Sequence, residues 1–114
     1  MAYDKGATRA FANVAASQTD SSVVSAKAGN RIRVIAAYAV AGGTATNLTF
    51  NTKPAGAGSA ISALFANAAN GGFVLPRNES GWFETSVGEG LTVTTGAGAT
   101  TGIGVVYSLI PSAS

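Results

Sequence analysis

The chain has 114 residues, seven Lys or Arg against five Asp or Glu, a formal charge of +2, and neither histidine nor cysteine. It therefore lacks the side chains that supply most proton transfer near neutral pH, thiolate nucleophiles and soft metal ligands, and no disulfide can form. Its hydrophobic fraction of 46% is drawn largely from alanine, which buries little area, so the composition implies one domain with a thin core that gains by burying surface against copies of itself.

Met1–Gly6 carries charges and no apolar stretch, and so shows no secretory signature. This segment reads as an arm outside the core that lies against a neighbouring subunit. The chain divides into an arm with a first weak strand over 1–20 and a β-sandwich domain over 21–114. Arg9–Ala16 and Val23–Ala26 are the weaker strand candidates.

From Arg31 onward the apolar period is two. Ile32, Val34, Ala36, Tyr38 and Val40 read as one side of a half-buried strand, with Arg31 and Arg33 on the other. Leu48 and Phe50 alternate with Asn47, Thr49 and Asn51 in a second strand. Gly42-Gly43 between them suits a tight hairpin.

Ile61, Ala63 and Phe65 read as a further strand, with a short helix over Ile61–Ala69 as the alternative. Asn70-Gly71 is a favoured type I′ turn pair, leading into Phe73-Val74-Leu75. Pro76–Gly81 reads as a loop, because proline removes a ladder donor and Asn78 and Ser80 favour turns. A short strand over Trp82–Thr85 follows, and Gly88-Glu89-Gly90 turns the chain. Leu91, Val93 and Thr95 alternate, Gly96-Ala97-Gly98 makes a loop, and Ile103, Val105, Tyr107 and Leu109 form the last strand. Eight or nine short strands with turns between them predict an all-β antiparallel sandwich. No run approaches the roughly 18 apolar residues of a membrane-spanning helix.

Few residues offer chemistry. The glycine string Gly96–Gly104 lacks the following helix and lysine of a phosphate-binding loop. Glu79, Glu84 and Glu89 are spaced as solvated loop charges rather than as an opposed catalytic pair or an oxygen cage for calcium. No enzyme activity, cofactor, metal, nucleic acid or membrane partner is expected. Arg31 and Arg33 share one side of a strand and offer contact to an acidic partner or a solvated face. In Trp82-Phe83, adjacent strand residues point to opposite faces, so one ring faces the core and the other faces out. An outward ring there, joined by Arg77, could anchor a protein interface or stack on a sugar.

The order Gly72-Phe73-Val74-Leu75-Pro76, Gly81-Trp82-Phe83-Glu84-Thr85, Gly88-Glu89-Gly90-Leu91-Thr92-Val93 and Val105-Val106-Tyr107 resembles small β-sandwich structural proteins of tailed bacteriophages, including capsid decoration (cement) proteins. The resemblance runs loosely from Ser22 to Ile110 and is sharpest over Gly71–Tyr107. It implies a jelly-roll-like sandwich without enzymatic activity, made in the host cytoplasm and carried on the capsid exterior. Its implied partners are the major capsid protein and itself, as a homotrimer. The residues expected at capsid or subunit contacts are Tyr3, Arg9 and Phe11, with Arg31, Arg33, Arg77 and Trp82 as further candidates. The alternative function is a glycan-binding module of a phage fibre or tail part, centred on Trp82.

Overall fold

The computed structural model describes residues 7–111, among which strands are the only regular elements. In chain order they are β1 Ala7–Val14, β2 Ser21–Val24, β3 Asn30–Ala41, β4 Thr46–Lys53, β5 Ser59–Ala60, β6 Phe65–Asn67, β7 Gly72–Leu75, β8 Phe83–Glu84, β9 Gly90–Thr95 and β10 Thr101–Pro111. They build two antiparallel sheets packed on one core. The front sheet has the order β1-β10-β3-β7, with β8 also on β3. The back sheet has the order β2-β9-β4-β5, with β6 also on β4.

Most connections cross from one sheet to the other, as in a jelly roll of two four-stranded sheets. Two of the eight positions are filled by split strands, β5 with β6 and β7 with β8, which gives ten pieces. Tyr3 and the segment Met1–Gly6 lie outside the described residues. Ala7–Val14, by contrast, pairs with β10 along its whole length.

Three local expectations are corrected, the first two by connections that cross between the sheets. Gly42-Gly43 does not close a hairpin, because β3 and β4 belong to different sheets. Instead the Gly42 amide donates to Thr100 O at 3.0 Å. A side chain at Gly42 would meet Ala99 Cβ and Thr100 O at 3.0 Å, so glycine permits that approach.

Asn70-Gly71 is a turn between sheets and not a type I′ hairpin. Only Asn70 has positive φ (58°), and the Gly71 amide closes the turn on Ala68 O at 2.9 Å. Nor is Ile61–Phe65 one strand. The Phe50 amide donates to the Ser62 hydroxyl at 2.9 Å, so a side chain takes the place of the ladder carbonyl and β5 stops at Ala60.

A fourth correction bears on function. Ile32 and Val34 face the core, as their alternation requires, but Ala37, Ala39 and Ala41 are the buried residues further along β3. Between β3 and β10 the register shifts, with Val34 opposite Tyr107 and Ala36 opposite Val106. Ile35 is therefore the extra residue of a β-bulge, which reverses the facing of everything after it. Tyr38 and Val40, read from the pattern as inward with Ile32, point outward and are each 51% exposed. Two long-range bonds hold the bulge: Asn78 N–H to Ile35 O at 2.9 Å, and Trp82 N–H to Val34 O at 2.8 Å.

The core joins Ile32, Val34, Ile103 and Val105 of the front sheet to Leu48, Phe50, Leu91 and Val93 of the back sheet. Rings cross the space between them. Phe50 lies 4.8 Å from Phe83 and 6.2 Å, edge-on, from Phe65, which stacks on Phe73 at 4.1 Å. Asp20 staples the back sheet from outside. Its carboxylate accepts from Gly58 N–H at 3.0 Å, Asn51 Nδ2 at 3.2 Å and Thr92 Oγ1 at 3.3 Å.

Two buried polar atoms among the described residues lack a partner, Asn67 Nδ2 and Thr101 Oγ1. Thr101 is fully buried at the start of β10. Valine has the same shape without the hydroxyl, and a buried hydroxyl without a hydrogen bond costs about 1–3 kcal/mol. Thr101→Val is expected to raise stability by about 1 kcal/mol in a denaturant titration; a loss would show that the hydroxyl is bonded in solution.

Candidate interaction face

The bulge in β3 and Gly104 on β10 shape an apolar groove. On the outer surface of the front sheet, Phe11 pairs with Gly104, Gly104 with Tyr38, and Tyr38 with Val74, so one row crosses four strands. Gly104 supplies the gap. A Cβ there would lie 2.2 Å from the Tyr38 ring, so the ring lies over the glycine. Phe11 on β1 and Val74 on β7 stand at the two sides, 81% and 74% exposed.

The groove between them has a volume of about 390 Å³; Ala36, Val106 and Pro76 are among its lining residues. Arg9 is the one charged side chain on it. Val40 stands further along β3, also exposed. Exposed apolar side chains aligned across a whole sheet make this face the candidate interaction surface.

Of the residues expected from sequence, Arg9 and Phe11 are brought together here. Arg31 and Arg33 occupy the polar end of the same outer surface, where Glu84 engages both. Arg33 Nε lies 2.7 Å from Glu84 Oε2, and Arg31 Nη1 lies 3.8 Å from Oε1. The register sets Arg33 directly opposite Glu84, which brings this carboxylate to the arginines. Arg77 pairs with Glu79 at 2.6 Å, in the loop between β7 and β8. In Trp82-Phe83 the inward ring is Phe83, against Phe50. Trp82 is 41% exposed and donates from Nε1 to Pro76 O at 2.7 Å, tying its ring to one lip of the groove.

Sequence reasoning missed Tyr38, Val74 and Val106. The alternation places Tyr38 inward, because the bulge leaves no trace in it. Val74 could have been found, since it lies between Phe73 and Leu75, which both pack on the core. The third carboxylate of the second half, Glu89, accepts from Thr52 Oγ1 at 2.7 Å. The three glutamates thus serve different partners. Among the described residues no three His, Cys, Asp or Glu side chains gather as a metal site.

The fold defines a class, the jelly-roll β-sandwich, with an apolar outer face on one sheet. Comparisons with protein-family models, curated proteins and solved structures return no match to this chain.

Proposed function

We propose that this chain is a non-enzymatic structural protein that decorates and reinforces a bacteriophage capsid, docking on the shell through the outer face of the front sheet. The observation that carries the reading is the Phe11–Gly104–Tyr38–Val74 row, an apolar strip across a sheet whose other face already forms the core. A monomer gains nothing from such a strip. Burying Phe11 or Val74 against a partner stabilises by about 1.5–3 kcal/mol each. Many copies on a lattice multiply such modest contacts into firm attachment. The resemblance of its loop and strand motifs to phage structural proteins, together with the absence of His and Cys, agrees with a role as surface rather than catalyst.

Density-gradient separation of a native lysate tests the reading. The chain is expected in the fractions of filled heads, at a copy number comparable to the shell protein. Val74→Glu, at an exposed position, places an unpaired carboxylate in the dock and should cut occupancy on heads at least about tenfold while the domain melts normally. Occupancy unchanged by Val74→Glu removes this face from the dock. A chain that stays at the top of the gradient, or follows only tails, defeats the cement reading. It would favour a glycan-binding part of a fibre, for which the exposed Trp82 ring, held by its bond to Pro76, is the stacking surface.

A further inference from the structure

The four sheet edges are not treated alike. An uncovered edge offers free backbone donors and acceptors to any passing strand, and folded proteins blunt such edges with shortness, bulges, proline or charge. On the back sheet, β2 has four residues and a register shift between Ser22 and Val24, while β5 and β6 have two and three residues. On the front sheet, the β7–β8 edge is broken by the loop from Pro76 to Trp82, and β8 carries the Glu84–Arg33 pair.

The remaining edge, β1, has the fewest of these devices. It runs eight residues, keeps one register with β10 throughout, contains no proline or lysine, and carries a single charge, Arg9. Among the described residues no strand pairs with its free side.

Its sequence also tolerates antiparallel pairing with itself about Phe11. Ala10 and Ala12 flank the ring, then Arg9 and Asn13, then Thr8 and Val14. Antiparallel pairing of this strand with its own copy about a two-fold axis at Phe11 sets Ala10 opposite Ala12 of the second copy. Arg9 then faces Asn13 of the second copy, and the two Phe11 rings meet. No like charges oppose each other, and side chains already outward stay outward.

We propose that β1 is a self-pairing edge that joins two copies of this chain into one continuous front sheet. The two-fold contact is isologous, each copy offering the same surface. It differs from the three-fold arrangement that the resemblance to decoration proteins implies, since a three-fold ring joins two different patches. The apolar row then runs unbroken from Val74 of one copy to Val74 of the other. The pairing does not depend on what the combined face docks upon.

The chain has no cysteine, so single-cysteine variants report the register directly. Sedimentation of the purified full chain should give the mass of a dimer, and Phe11→Lys should weaken dimerisation about tenfold or more by placing two cations at the axis. Under oxidation, Arg9→Cys alone and Asn13→Cys alone should not cross-link. Like residues are then about 14 Å apart along the paired strands, beyond the Cα reach of a disulfide. A mixture of the two variants, which keeps Phe11, should cross-link well above either one alone. A monomer or a trimer by sedimentation overturns the proposal, and so does a mixture that cross-links no better than its components. Because these readouts need no capsid, failure on the shell and failure of the pairing are told apart.

Discussion

Phe50→Ala is expected to lower stability by about 3–5 kcal/mol, the usual cost of emptying a large aromatic site in a core. Phe50 is fully buried on β4, and its ring contacts Phe83 of the front sheet and Phe65 of β6. Phe65 in turn stacks on Phe73 of β7. One side chain thus ties together both split positions of the jelly roll. The cavity cannot collapse easily, because Ala37 and Ala39 are among the residues of the opposing front sheet and have no side chain to swing into the gap. A domain of this size is worth about 5–15 kcal/mol in total, so the variant should be marginal at ambient temperature. A thermal or denaturant melt reads this directly. Phe50→Leu, which refills most of the volume, should recover most of the loss. An alanine variant losing under about 1 kcal/mol would mean that the ring cluster does not bind the two sheets together.

Gly72→Ala is expected to release β7 while leaving the centre of the sandwich paired. A Cβ at Gly72 would lie 1.8 Å from Ala39 O and 2.8 Å from Val40 Cα, both backbone atoms of β3 that no rotamer change can clear. Strand β7 must move, and overpacking of this kind costs about 1–3 kcal/mol. Val74 and Pro76 move with it, so the candidate dock loses one wall. Hydrogen exchange should quicken at Phe73–Leu75 and stay slow in β9 and β10. Gly43→Ala is the matched control, because a Cβ there meets nothing within 4 Å. Equal stability and equal exchange in the two variants would show that β3 and β7 are not in such close contact.

The two substitutions act on different parts of the design. Phe50 holds the sheets together, whereas Gly72 lets an edge strand lie close enough to complete the outer row. Neither residue lies on β1, so the proposed pairing of copies can be measured independently of both.

Much of the fold could be read from residue types. Arg9–Ala16 reads only as a weak strand, because Arg9, Phe11 and Asn13 mix charge, ring and amide while Ala10 and Ala12 keep the period of two; the observed strand is Ala7–Val14. Ile103, Val105, Tyr107 and Leu109 alternate cleanly and all pack on the core. The interaction face was half legible. The sequence points to Arg9 and Phe11, but its alternation turns Tyr38 to the wrong side, because its facing depends on one extra residue at Ile35. That bulge is held by Asn78 and Trp82, more than 40 residues further along the chain, and local alternation cannot register bonds of that range.

By itself the sequence determined that the chain would be all strands, where the glycines and asparagines would turn it, and that histidine and cysteine chemistry was absent. Those properties follow from side-chain period, backbone freedom and the inventory of functional groups, all of them local. Only the tertiary structure decided that Gly42-Gly43 carries the chain across the sandwich, that Asn70 does the same in reverse, and that Phe11, Tyr38 and Val74 line up in one row. Partner choice between strands is settled by which packing buries Phe50, Leu48, Ile103 and Val105 together, and that is a property of the whole chain.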